Sequence, residues 1–380
     1  ATLRKKCMKE QPNILFIFSD QQHWQALGFQ DASFQTPTLD RFARQGVVFS
    51  NAFCTTPQCS PSRSSIMTGL YPSRTGVLGN VGAAGGAPLR TPTIGTVLQQ
   101  AGYRTAYFGK WHLGKESAGI TGWDEDLGVT GPECHDDPEV TRRASAFLSE
   151  SRQSKQPFAL FLSYDNPHDI YHFSRETEPV PQSEVSLPDS WHRKDLSTSP
   201  AVQQQFMTED QGRAIKNAEA PAWQRYREIY REKVRLYDHE VGCVLNALER
   251  DGLAATTMVV VTSDHGDMDA QHGLIYKGPF MYEQMMRVPL IFHIPAMVGQ
   301  HRAPGSIVDF PCVNVDLPTT LADFAGAELR ESDGVSLRPL LTGEGEPPQR
   351  EAVIGQYYSK QRWVNPIRMI RTRRYKYNLY

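Results

Sequence analysis

Four short apolar runs recur along the 380-residue chain, and each ends in polar residues. Residues 13–19 (NILFIFS) deliver Asp20, Gln21 and Gln22. Residues 102–112 form a short strand that ends in Gly109, Lys110 and His112. Residues 157–163 (PFALFLS) lead to Asp165, Asn166, Pro167 and His168, and residues 257–263 (TMVVVTS) to Asp264, His265, Gly266 and Asp267. A bounded run that is apolar throughout, and not only at alternate positions, reads as a strand buried on both faces. Such strands belong to mostly parallel sheets with helices on either side. Open sheets of this kind bind ligands beyond the carboxyl ends of their strands. Independent surface placement would not put all four polar clusters there, so the pattern predicts one pocket at that edge.

Helical spacing separates the runs. It covers residues 38–45, stopped by Gly46, and 93–101, stopped by Gly102, then 140–151, 223–250 and 316–325. The longest segment has apolar or aromatic residues at 223, 226, 230, 234, 237, 241, 245 and 248, a stripe that reads as core packing. Residues 47–53 and 287–292 read as further strands. The expected fold is α/β, a large mostly parallel mixed sheet flanked by helices. A main domain is expected over residues 1–350. Residues 351–380, with strands at 351–355 and 368–380, are expected to begin a small C-terminal antiparallel sheet that breaks off incomplete. Residues 171–221 are polar, hold several prolines and lack sustained periodicity. They read as an insertion over the ligand face, a lid or substrate-reading loop.

Composition narrows the class. A net charge of −2 with 39% hydrophobic residues describes a globular chain with no broad basic character for nucleic acid. No apolar run is long enough to span a membrane. Six cysteines, at 7, 54, 59, 134, 243 and 312, are too sparse for a disulfide framework and lack zinc-ribbon spacing. The first ten residues are basic and lack an apolar segment, so no signal peptide is visible. A cytoplasmic location therefore stands beside a periplasmic or secreted one after cleavage.

The stretch from Cys59 to Gly69 (CSPSRSSIMTG) concentrates the chemistry. Ser60 suits a helix cap, Pro61 the first helical position, and Gly69 the stop. The amino end of that helix would direct partial positive charge at the Cys59 side chain and at any anion beside it. Arg63 would lie about one turn on, on nearly the same face. A nucleophile, a helix dipole and an arginine together suggest attack on an oxyanion ester. A buried thiol, or a pairing of Cys59 with Cys54, is the other reading of the same residues.

This stretch resembles the signature of the sulfatase family: cysteine, a small residue, proline, a small residue, arginine, then an apolar pair ahead of threonine-glycine. Residues 102–112 resemble the second signature of that family, with Phe108 where its members usually carry a smaller residue. His168 after Pro167, the pair Asp264 and His265, Lys277 within 273–278 and the strand at 287–292 match as well. The likeness covers most of residues 12–295, with the insertion as the main exception. It implies an alkaline phosphatase-like fold and a sulfuric ester hydrolase. It also implies oxidation of Cys59 to formylglycine by a formylglycine-generating enzyme, the hydrated aldehyde being the nucleophile.

The resemblance further implies one divalent metal ion held by Asp20, Gln21, the modified Cys59, Asp264 and His265. Oxygen-rich donors favour calcium, with manganese or magnesium as alternatives. Gln21 stands where the commonest family pattern has a second aspartate, which lowers the site charge. With His265 present, that weakens the case for calcium over manganese. Lys110, Lys277 and Arg63 would neutralise the sulfuryl oxygens. His168 would protonate the departing alcohol, and His112 would be the base that lets sulfate leave and the aldehyde return. Asn80 lies at the spacing of an active-site, substrate-binding asparagine in choline-sulfatase-like and phosphonate monoester hydrolase relatives. Asp267, Asp269 and His272 read as surface residues or supports behind the ligands. The expected substrate is a small-molecule or carbohydrate sulfate ester. A phosphonate monoester or phosphodiester hydrolase of the same superfamily is the alternative. A non-catalytic metal- or sulfate-binding protein is the alternative of another class.

Overall fold

The computed structural model describes residues 11–380 apart from 83–85, 130–135, 174–184, 194–195, 300 and 361–362. Cys7 and Cys134 lie outside the described residues. In chain order the strands are β1 (Asn13–Asp20), β2 (Val47–Phe49), β3 (Ala52–Phe53), β4 (Arg104–Gly109), β5 (Glu125–Leu127), β6 (Phe158–Pro167), β7 (Thr257–Ser263), β8 (Leu290–His293), β9 (Ser306–Val308), β10 (Cys312–Val313), β11 (Ala352–Lys360), β12 (Trp363–Thr372) and β13 (Lys376–Leu379). Eight of them make one sheet in the order β5-β4-β6-β1-β7-β8-β2-β9. The run from β5 to β7 is parallel throughout, and β8 is antiparallel to both β7 and β2. The last three strands form a separate antiparallel sheet.

The apolar runs are apolar at every position because both sheet faces are covered. Successive residues of a strand point to opposite faces. Leu15 and Ile17 join Leu160, Leu162, Val259 and Val261 beneath the helices Pro37–Gln45, Asp137–Ser151 and Ala220–Arg250. Ile14, Phe16 and Phe18 meet Phe161, Met258 and Val260 on the other face, beneath Cys59–Thr68, Ile94–Gln100 and Asp316–Phe324. Register then levels the strand ends. Ser19 pairs with Tyr164 and with Ser263, and Gly109 pairs with Ser163. The four polar clusters therefore emerge side by side at one edge.

Several expectations shift. Residues 47–53 divide at Ser50 and Asn51 into β2 and β3, because Ser50 bonds Val308 and the Arg287 guanidinium while β3 leaves the large sheet to pair with β10. Residues 368–380 divide around a turn closed by Thr372 and Tyr375. The segment 171–221 contains a helix, Ala201–Glu209, that its sequence did not announce. Ser60 does not cap its helix. The helix begins at Cys59, and the Ser60 hydroxyl donates to the His112 carbonyl at 2.6 Å. Gly69 ends that helix in the left-handed region, φ 74°, where a glycine carries no Cβ penalty. Cys54 and Cys59 are separate free thiols. No helix among the described residues is long and apolar enough to cross a membrane.

Candidate active site

Asp20 ends β1, Asp264 and His265 follow β7, and Cys59 opens its helix beneath the same edge. One ligand atom from each of these four residues lies within 4.8 Å of the others, and all four are buried. His265 Nδ1 faces the Gly266 carbonyl at 3.0 Å. A carbonyl only accepts, so Nδ1 carries a proton and Nε2 is the ring atom that would ligate a cation. That Nε2 lies 3.3 Å from Cys59 Sγ and 3.5 Å from Asp20 Oδ1. Two carboxylates, an imidazole in the ligating tautomer and a side chain at 59 form a donor set that fits a hard divalent cation.

The charges around the set agree. Burial disfavours ionised Asp20, yet Lys110, His168, Lys277 and Arg63 hold its carboxyl well below the usual range. Asp264, buried and next to Asp20, is pushed up to about 6. The Cys59 thiol is drawn well below its ordinary value, despite burial and Asp20, by Lys277 and His265. Lys277 Nζ sits 2.9 Å from Cys59 Sγ and 2.7 Å from Gln21 Oε1. Gln21 is thus in the wall of the cluster, with its amide bonded to Lys277 and to Asp267.

Arg63 departs from the expected role at the sulfuryl oxygens. Its side chain is 1% exposed, and it donates to Asp264 Oδ2 at 2.9 Å, Asp20 Oδ2 at 3.0 Å, Ser163 Oγ at 2.7 Å and the Lys110 carbonyl at 2.7 Å. A guanidinium used in this way braces the two carboxylates from behind and does not reach outward. Asn80 has a structural task at the same helix start. Its Oδ1 accepts the Ser60 N–H at 3.1 Å, so it satisfies an orphan amide at the helix start from 20 residues away, the task expected of Ser60.

Lys110 and His168 lie beside the cluster, linked through Asp165. Lys110 Nζ bonds Asp165 Oδ1 at 2.8 Å and Asp20 Oδ2 at 3.0 Å. Asp165 also lies 3.8 Å from His168 Nδ1. His168 is held below its ordinary pKa by burial and by Lys110 and Lys277. His112 sits at φ 58°, and its Nδ1 is buried without a hydrogen-bond partner among the described residues. Sequence reasoning passed over Asp165, although it lies at a strand end like the others. It also passed over Tyr171, whose ring lies between His168 and Tyr276, at centroid distances of 4.8 and 4.3 Å.

The long helix Ala220–Arg250 supports the site from outside. Tyr230 donates to the Gln21 carbonyl at 2.8 Å, and Tyr226 donates to Asp267 at 2.8 Å. Arg227 and Arg231 converge on Asp269, each at 3.0 Å, with His23 Nε2 at 3.7 Å. Asp267 and Asp269 are buried, so they are supports and not surface groups. The two arginines hold Asp269 far below the carboxylate range although burial opposes its charge. Asp269→Asn removes the carboxylate on which two buried guanidinium groups converge, and leaves Arg231 only the Asp31 carboxylate among the described residues, at 3.4 Å. It is expected to destabilise the fold by about 3–5 kcal/mol. A lower urea midpoint at unchanged slope would show this, and a midpoint equal to wild type would contradict it.

A mostly parallel sheet that carries at its carboxyl edge a buried cation-ligand set, a nucleophile at a helix start and two lysines defines a metal-dependent hydrolase of anionic esters. The description of the sulfatase family matches residues 12–327. The chain is 30% identical to Delta 4,5-hexuronate-2-O-sulfatase of Bacteroides thetaiotaomicron, over 98% of this chain and 80% of that protein. It is 29% identical to choline-sulfatase of Rhizobium meliloti, over 96% and 78%. The solved structure of a 2-O GAG sulfatase superposes with a TM-score of 0.86 at 28% identity, covering 97% of this chain and 82% of that one. A phosphonate monoester hydrolase of Agrobacterium radiobacter shares the fold, with a TM-score of 0.76 at 20% identity over 97% and 87%. The chain belongs to the sulfatase family. It is a hydrolase of sulfuric esters, and the family implies a divalent metal and a formylglycine made from Cys59.

Proposed function

We propose that the substrate is a carbohydrate sulfate ester and that the resident metal is Ca2+, bound by Asp20, Asp264, His265 and residue 59, with Gln21 beside them. The observation that carries the reading is the buried cluster of four ligands with Lys277 2.9 Å from Cys59 Sγ. Relatives named for hexuronate, N-acetylglucosamine and ulvan substrates support the carbohydrate class. The bound cation would polarise sulfuryl oxygens, and formylglycine at 59, made by a formylglycine-generating enzyme, would supply a hydroxyl nucleophile in place of the thiol.

The protein's own groups then have distinct tasks. Lys277 and Lys110 neutralise charge on the sulfuryl oxygens. Arg63 keeps Asp20 and Asp264 ionised and fixed. His168 donates a proton to the leaving oxygen. Its depressed pKa leaves it mostly neutral in the free site, and the negative sulfate ester, bound beside it, raises its affinity for that proton. His112, open at Nδ1, serves as the base. A panel of 2-O- and 6-O-sulfated sugars, choline sulfate and paired aryl sulfate and phosphonate esters tests the substrate class. Turnover confined to the phosphonate esters would sink it.

Chelation is expected to abolish turnover, and added Ca2+ to restore it. Ca2+ affinity should also depend on pH in a stated direction. Above about pH 6 Asp264 is ionised and available; below it a proton competes for the same oxygens. Affinity should therefore fall as pH drops through that range, by up to about tenfold per unit. Calorimetric titrations between weakly acidic and neutral pH would reveal a flat profile if the reading is wrong.

A further inference from the structure

Gln21 is held with unusual completeness. Its backbone lies at φ 78°, where a residue with a side chain is uncommon. Its N–H donates to Asp264 Oδ1 at 3.1 Å, and its carbonyl accepts from Tyr230. The carboxamide is gripped at both ends. Oε1 accepts from Lys277 Nζ at 2.7 Å, and Nε2 donates to Asp267 Oδ2 at 2.7 Å. An ammonium only donates and a carboxylate only accepts, so the two partners specify which end of the amide faces which way.

The two partners differ in permanence. Lys277 faces Cys59 and, on the reading above, turns to the sulfuryl oxygens when substrate binds. It must then loosen its hold on Gln21 Oε1. Asp267 is fully buried and bonds the far end of the carboxamide from Lys277. Its own oxygens are fixed by the Tyr226 hydroxyl, 2.8 Å from each, and by the Asp269 N–H at 2.7 Å on Oδ1. It is the partner that can keep the amide oriented through turnover.

We propose that Asp267 is a positioning residue that holds the Gln21 amide oxygen toward the Asp20, Cys59, Asp264 and His265 cluster. It also returns, one hydrogen bond behind position 21, the negative charge that a glutamine lacks. The cation then sees a neutral ligand backed by a fixed carboxylate. Tyr226 anchors that carboxylate, which links the long helix to the cation site. This inference rests on the metal reading above.

The test is calorimetric titration of Ca2+ into chelator-treated full-length protein. Four variants are compared with wild type: Asp267→Asn, Gln21→Glu, the double variant Gln21→Glu with Asp267→Asn, and Tyr226→Phe. Asp267→Asn should weaken Ca2+ binding about 10- to 100-fold, as loss of a group that orients a ligand does. Gln21→Glu sets two carboxylates face to face and should also bind more weakly. The double variant exchanges amide and carboxylate, keeps the total charge and restores the donor–acceptor match. Its affinity should return to within about tenfold of wild type. Tyr226→Phe, a mild change that retains the ring, should weaken binding several-fold even if Asp267→Asn fails to fold. Wild-type affinity in Asp267→Asn or in Tyr226→Phe would overturn the proposal. A double variant no better than its parents would overturn it too. Wild-type protein that binds no Ca2+ would remove the calcium reading itself, and the wild-type titration alone reports that failure.

Discussion

Cys59→Ala is expected to lose sulfatase turnover by roughly a million-fold, the scale on which hydrolases fail when a covalent nucleophile is removed, while the fold survives. The two halves of this expectation come from different features. The helix that carries Cys59 is secured without it. Asn80 satisfies the Ser60 N–H, the Ser60 hydroxyl holds the His112 carbonyl, and the Ser62 hydroxyl donates to the Asp264 carbonyl at 2.5 Å. The thiol itself touches the reacting groups, with Lys277 at 2.9 Å and His265 at 3.3 Å. Alanine removes those contacts and any hydroxyl that residue 59 could offer. Steady-state assays should show the loss in kcat, with a thermal midpoint within a few degrees of wild type. Residual turnover near wild-type level would mean that another residue carries the attack. A collapsed midpoint would mean that Cys59 is mainly a packing residue.

Arg63→Met should have a large effect on stability. The guanidinium is buried between Asp20 and Asp264 and donates to one oxygen of each. Methionine fills similar volume but leaves two carboxylates facing each other in a site closed to water. Breaking a buried pair in this way costs about 3–5 kcal/mol. Denaturant unfolding of the metal-free protein should show that loss, with Ca2+ affinity falling at the same time, because the carboxylates are no longer held in place. Were Arg63 a substrate contact, as its place in the motif first suggests, the variant would instead raise KM at nearly unchanged stability. The two outcomes are easily told apart.

The sequence made the sheet legible for a physical reason. A strand covered on both faces must be apolar at every position, so NILFIFS, PFALFLS and TMVVVTS carry their own assignment, and parallel pairing brings their polar ends together. The Cys59 helix was legible through its glycine stop. What the sequence concealed was direction and partnership. Nothing local says that Arg63 turns inward to Asp20, 43 residues away, and not toward substrate. Nothing marks Asn80 as the group that completes the Cys59 helix. The apolar stripe on the long helix was visible because it repeats. Arg227 and Arg231, one position off that stripe, look like solvated residues until Asp269 is placed against them. The helix at Ala201–Glu209 fully buries only Val202, Gln203 and Phe206, with Met207 partly buried, too little for a period to emerge.

The most direct test of the central claim is the mass of the tryptic peptide spanning residues 45–63, taken from protein matured in its native host. An aldehyde in place of the Cys59 thiol is the predicted result, and it would join the cation cluster, the two lysines and the helix start into one hydrolytic site. An intact cysteine in fully matured, active protein would contradict it, since the buried, Lys277-paired sulfur would then be the reacting atom and formylglycine chemistry would have no place here.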